Sequence, residues 1–116
     1  MKKLQFFMVS LLGVLLAGNA VATPYWASGV TGEWDDPVPW GGADYPVAGD
    51  IAYLNLGSTM TVDGTAEQAD ELHLASWSGN SDLVSLNIIN GGSLEILTGW
   101  TYVGVAAGDF GRLSVD

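Results

Sequence analysis

Short apolar/polar alternations separated by glycines constrain this chain more than any other feature. Between Val84 and Asp116, the pairs Leu86/Ile88, Leu94/Ile96 and Leu113/Val115 each set two apolar residues two positions apart, and a fourth apolar patch runs from Tyr102 to Val105. Gly91-Gly92, Gly99, Gly104, Gly108 and Gly111 fill the gaps. Period two is the strand period, and glycine supplies the positive-φ turns that join short strands. None of these strands is long enough to bury a core alone, so the recurring unit of strand, glycine corner and strand must stack on copies of itself. Leu72, Leu94 and Leu113 follow one another at intervals of about 20 residues, which fits one turn of a parallel β-helix. On that register Leu72/Leu74, Leu94/Ile96 and Leu113/Val115 are expected to share one buried parallel sheet. Leu86/Ile88 and Tyr102–Val105 fall on the alternate sheet, with His73, Glu95 and Ser114 facing solvent. Asn90-Gly91-Gly92 between two alternating runs leaves an antiparallel hairpin as the rival topology.

The chain opens with Lys2-Lys3, a mostly apolar run from Leu4 to Ala17, and the small residues Ala20-Val21-Ala22. This is the layout of a cleavable signal peptide, residues 1–22, with cleavage after Ala22. The apolar run is shorter than the ~20 residues that span a bilayer, and no basic stop-transfer cluster follows it. Leu15-Leu16-Ala17-Gly18 is followed by Asn19 rather than the Cys that lipid attachment requires. The expected address is therefore outside the cytoplasm: extracellular or cell-surface, and periplasmic in transit.

Without the leader, a single basic residue, Arg112, faces all 13 acids. That balance disfavours nucleic acid and anionic lipid as partners, because both are held largely by Lys and Arg on phosphate. With no Cys in the chain, stability rests on packing rather than disulfides. What remains after the leader makes at most one domain.

Residues 23–49 hold Trp26, Trp34, Trp40 and all four prolines without sustained alternation. They are expected to give one or two short strands and then a loop from Trp34 to Gly49, laying aromatic bulk over the first rung as a cap. Residues 50–116 carry the rungs: Ile51/Tyr53, Thr59–Val62 and Leu72/Leu74, with Thr65–Asp70 as loop and Trp77–Asp82 as a polar corner. Ending directly after a strand at Asp116, the sequence reads as the N-terminal piece of a longer protein.

An export signal, W-x-x-x-x-x-G-x-W from Trp26 to Trp34, then P-V-A-G-D-I-A-Y-L, A-D-E-L-H-L-A, G-G-S-L-E-I and Y-V-G-V-A-A-G-D-F-G-R-L-S-V together resemble the N-terminal region of bacterial exported β-helix proteins. These are the autotransporter-like and PEP-CTERM-sorted exoproteins. The resemblance covers nearly all of the chain after the leader, through short and degenerate motifs. It implies an all-β, right-handed parallel β-helix outside the cell, of structural or adhesive role. A polysaccharide-binding or polysaccharide-degrading β-helix protein is the alternative.

Candidate sites are few. Aromatic faces bind sugar rings, so Trp77 and Trp100 are the candidate carbohydrate contacts, and extracellular polysaccharide is the candidate partner. Their separation, close to one rung, suits stacking in neighbouring rungs equally well. Asp35-Asp36 with Asp44, and Asn80 with Asp82, are carboxylate-rich, but neither spacing supplies the ligand pattern calcium requires. A β-helix lyase needs a base and a hydrolase needs two facing carboxylates. Here Arg112 stands near the end, and alternation turns His73 outward as a lone surface residue. No nucleophile elbow, phosphate loop or zinc spacing is present. The expectation is no catalysis within these residues, and no cofactor or metal.

Overall fold

A computed structural model describes residues 21–76, 82–105 and 107–116. Among them, ten short strands follow one another: β1 (Pro24–Ser28), β2 (Thr31–Glu33), β3 (Ile51–Asn55), β4 (Thr59–Asp63), β5 (Ala66–Ala69), β6 (Glu71–Leu74), β7 (Val84–Ile89), β8 (Ser93–Ile96), β9 (Thr101–Val103) and β10 (Gly111–Val115). A 3-10 turn, Val38–Trp40, interrupts them. One sheet stacks β1, β3, β6 and β9, a second stacks β2, β4, β7 and β10, and a third pairs β5 with β8. Every pairing among these strands is parallel. The chain passes from face to face, and each face is revisited one turn later. The protein is a parallel β-solenoid.

Alternation decides which side chains enter. Ala27, Leu54 and Leu74 form one inward column on the first face, and Met60 and Leu86 form another on the second, all of them fully buried. Val62 and Ile88 continue the core one step along the same strands. Equivalent inward residues thus stack one rung above the next, about 4.8 Å apart.

The register expected from the leucines falls short of a full rung. Leu72/Leu74 lie on the first sheet, Leu113/Val115 on the second and Leu94/Ile96 on the third, so the three pairs do not share a face. Leu86 pairs with Leu113, and Glu67 pairs with Leu94. Gln68 and Glu95, bonded across the third face, measure one such turn at about 27 residues. A rung has three faces, so the same alternation recurs within a rung as well as between rungs. From Leu72 to Leu94 and from Leu94 to Leu113 the interval stops one face early. The turn from β3 to β6, which pairs Ile51 with Glu71, nevertheless closes in a comparable number of residues. Tyr102 accordingly belongs with Leu72 and Leu74, while Leu86/Ile88 carry Leu113/Val115.

Burial differs too. Leu113 and Val115 are 45% and 66% exposed, because β10 has a strand on one side only, and Leu94 and Ile96 are half-buried. Glu95 is exposed as expected, whereas Ser114 is half-covered. No hairpin forms at Asn90-Gly91. Those residues, with φ of 53° and 74°, turn the corner from the second face to the third. Thr65–Asp70, expected as loop, contains β5, because β8 offers it a parallel partner and Gln68 donates to Glu95 across the pair at 3.0 Å. Of the expected polar corner, residues 77–81 lie outside the described residues, as do residues 1–20 of the expected leader.

β1 and β2 form the first rung, and the aromatic segment after them covers it. Trp34 is fully buried, and its indole N–H donates to the Pro46 carbonyl at 3.0 Å. Trp40 meets it edge-on, with centroids 5.1 Å apart, and donates its own indole N–H to the Trp34 carbonyl at 2.8 Å. Both indoles bury their rings while satisfying their one donor. Gly32 occupies the inward position in register with Met60, and Pro39 sits where a Cβ on Gly32 would be. The absent side chain is what lets the cap close onto the rung. Trp26, expected in this cap, is instead on the outer face.

Candidate functional site

On the outer side of the first sheet the register aligns Trp26, Tyr53, His73 and Tyr102, one from each of four successive strands. Their rings form a continuous column. Trp26 and Tyr53 are stacked with centroids 4.0 Å apart and planes 7° from parallel. Tyr53 to His73 is 4.4 Å and His73 to Tyr102 is 4.6 Å, each pair tilted by 32°. The column climbs about 14 Å over its three steps. It arises because β1, β3, β6 and β9 each place one ring-bearing residue at the same outward step of the pleat, and parallel in-register stacking superposes identical steps.

The tilt on either side of His73 splays the rings. There an open depression of about 300 Å³ is lined by Tyr53, His73, Ser76, Tyr102 and Val105. His73 is held from both ring nitrogens, by Glu71 Oε2 on Nε2 at 3.0 Å and by Ser76 Oγ on Nδ1 at 3.1 Å. A carboxylate only accepts, so the contact with Glu71 calls for a proton on Nε2, while the Ser76 hydroxyl can either donate to Nδ1 or accept from it. The His73 side chain is mostly covered and that of Glu71 is nearly a third exposed. The expectation of an outward His73 holds, but as a clamped ring in a stack rather than a lone surface residue. Chemically, the arrangement fixes an imidazole between a carboxylate and a hydroxyl in an aromatic hollow.

Of the two candidate carbohydrate contacts, Trp77 lies outside the described residues. Trp100 is 70% exposed just before β9, and its carbonyl accepts the Leu72 N–H at 3.0 Å, which carries the parallel ladder one residue past the strand. Trp100 therefore stands at the Glu71 register position, on the edge of the same outer face as Tyr102. Asn80 also falls outside the described residues. Asp36 Oδ1 accepts the Val38 N–H and Asp44 Oδ1 accepts the Tyr45 N–H, so these carboxylates shape the cap loop. Among the described residues no three His, Cys, Asp or Glu side chains converge as a metal set. No helix among them is long and apolar enough to cross a membrane. Arg112 lies on β10 in register with Ser85, on the second face.

Sequence inspection misses the column because its members are unevenly spaced along the chain. Connections of different length produce that irregularity: the cap segment between β2 and β3 in the first turn, three residues between β3 and β4 in the second, and nine between β6 and β7 in the third. The signal was present only in the alternations Tyr53 within Ile51–Asn55 and His73 within Glu71–Leu74, each of which points one aromatic ring outward.

Comparison with protein-family models, with curated proteins and with solved structures finds no match.

Proposed function

We propose that this chain is an exported β-solenoid that acts as a structural and adhesive element at the cell surface. The aromatic column carries the proposal. A rigid stack of four rings on the outer wall of a solenoid presents a fixed surface that loses little side-chain entropy on contact, which suits adhesion. The leader composition, Lys2-Lys3 followed by an apolar run and Ala20-Val21-Ala22, supports export. The single basic residue left after cleavage supports a role away from nucleic acid and anionic lipid.

Expression of the full chain in a Gram-negative host, followed by fractionation and N-terminal sequencing, tests this. The expected product begins at Thr23 and is recovered outside the cytoplasm. An intact Met1 terminus retained in the cytoplasm or in the inner membrane contradicts it.

A further inference from the structure

We infer that the hollow lined by Tyr53, His73, Ser76, Tyr102 and Val105 is a binding site for the sugar ring of an uncharged polysaccharide. The inference rests on the surface-adhesion reading above and names the ligand class for that surface.

Shape comes first. At about 300 Å³ the hollow lies at the small end of ligand sites, and it is open along its length. It accepts one or two rings of a longer chain that continues over the wall on both sides. A small ligand bound alone calls for more enclosure than this.

The lining fits a sugar. Tyr102 and Val105 give an apolar wall for the C–H face of a pyranose. Tyr53, covered on both faces by Trp26 and His73, offers its ring edge, and Ser76 and His73 supply polar groups. The Ser76 hydroxyl, bonded to His73 Nδ1 in either direction, keeps acceptor capacity for a sugar O–H. Glu71, adjacent to His73 and partly exposed, is a charged acceptor, and charge-assisted hydrogen bonds are the stronger ones. A partly apolar ring bearing hydroxyls on its edge matches that pattern of walls and acceptors.

Charge then selects among glycans. Glu71 bonds the His73 ring that lines the hollow, and Arg112, on β10, is on a different face. A uronate or sulfate group would meet a carboxylate with no Lys or Arg of this face to balance it, and the overall excess of acids repels polyanions at longer range. Neutral polymers meet no such opposition.

The test is retention of the mature protein on insoluble cellulose and xylan, with polygalacturonate and chitosan gels as anionic and cationic comparisons. The expected result is retention on at least one neutral polymer, little on polygalacturonate, and at least a tenfold weakening by Tyr102→Ala with the fold preserved by circular dichroism. Ser76→Ala, which removes no packing ring, is expected to weaken binding by a few-fold. No retention on either neutral polymer, retention unchanged by both substitutions, or retention on chitosan alone overturns the inference. If those failures occur in a protein that is nonetheless exported and processed at Thr23, the site assignment falls while the surface location stands.

Discussion

Trp26 lies flat on Tyr53, ring centroids 4.0 Å apart, although a full turn of the chain separates them. Winding of the solenoid is what brings the two rings together, so the stack reports the rung itself. Tyr53 touches a ring on each side, Trp26 below and His73 above. Aromatic contacts add ~0.5–1.5 kcal/mol each beyond area burial. Tyr53→Ala is therefore expected to cost about 2–3 kcal/mol, read as a lowered denaturant midpoint and a reduced near-ultraviolet circular dichroism signal. Trp100→Ala, at an exposed position, should change stability by less than about 0.5 kcal/mol. Equal effects would show that the column is not a packing element.

Gly32 is the contact on which the cap closes. A methyl group there meets the Pro39 ring, so Gly32→Ala should destabilise by about 1–3 kcal/mol, the range for overpacking. The accompanying change is a red shift of tryptophan emission as Trp34 and Trp40 gain water. An unshifted spectrum with unchanged stability would mean that the cap does not seat on the first rung.

Asp70 ties three parts of the molecule. Its Oδ1 accepts the Gly49 N–H at 3.0 Å from the cap segment, and its Oδ2 accepts the Thr98 hydroxyl at 2.9 Å from the next rung. Asp70→Ala removes both and should cost about 1–2 kcal/mol. Asp70→Asn keeps an oxygen for Gly49 and an N–H₂ that the Thr98 hydroxyl can accept, so it gives up only the charge on the two bonds and is expected to lose about half as much. Urea unfolding of the two variants gives the comparison.

Tyr25 gives the structure an alkaline weakness. Burial raises its phenol above the ordinary value of 10.0, with the carboxylates of Asp50 and then Asp44 adding to the effect. The unfolded phenol ionises first as pH rises, so the folded state binds the extra proton and stability falls above the ordinary value of 10.0. Below that pH both states are protonated and Tyr25 contributes no pH dependence. Tyr25→Phe should flatten the alkaline decline in melting temperature while leaving behaviour near neutral pH intact. An unaltered slope would dissociate Tyr25 from it.

The architecture was legible in the sequence because inward alternation is local. Met60/Val62, Leu72/Leu74 and Leu86/Ile88 each announce a half-buried strand from four or five residues, whereas Ile51/Tyr53 marked β3 by the wrong face, since Ala52 and Leu54 are its buried pair. Register was not legible, since it depends on corner lengths that alternation does not encode. The nine residues between Leu74 and Val84 connect the same two faces as the three between Asn55 and Thr59. β5 went unseen because Ala66–Ala69 carries only alanine at its buried end, and its strand character comes from pairing with β8. The column on the outer face shared that fate. Trp26 and Tyr102 look like unrelated aromatics until the rungs are wound, and the sequence drew attention to Trp100 through its spacing from Trp77 instead.

The rung register is the central claim, and paired cysteines test it directly, since the chain has none of its own. Thr61 and Asn87 face outward in register on β4 and β7. Neighbouring parallel strands lie about 4.8 Å apart, within the Cα separation a disulfide accepts. Thr61→Cys with Asn87→Cys is expected to form an intramolecular disulfide rapidly under mild oxidation, measured by mass loss and gel mobility without denaturing the protein. His73→Cys with Glu95→Cys, the pair that the shorter interval from Leu72 to Leu94 would superpose, lies on two different faces and should not close. Closure of the second pair without the first would contradict the three-faced rung and the solenoid built from it.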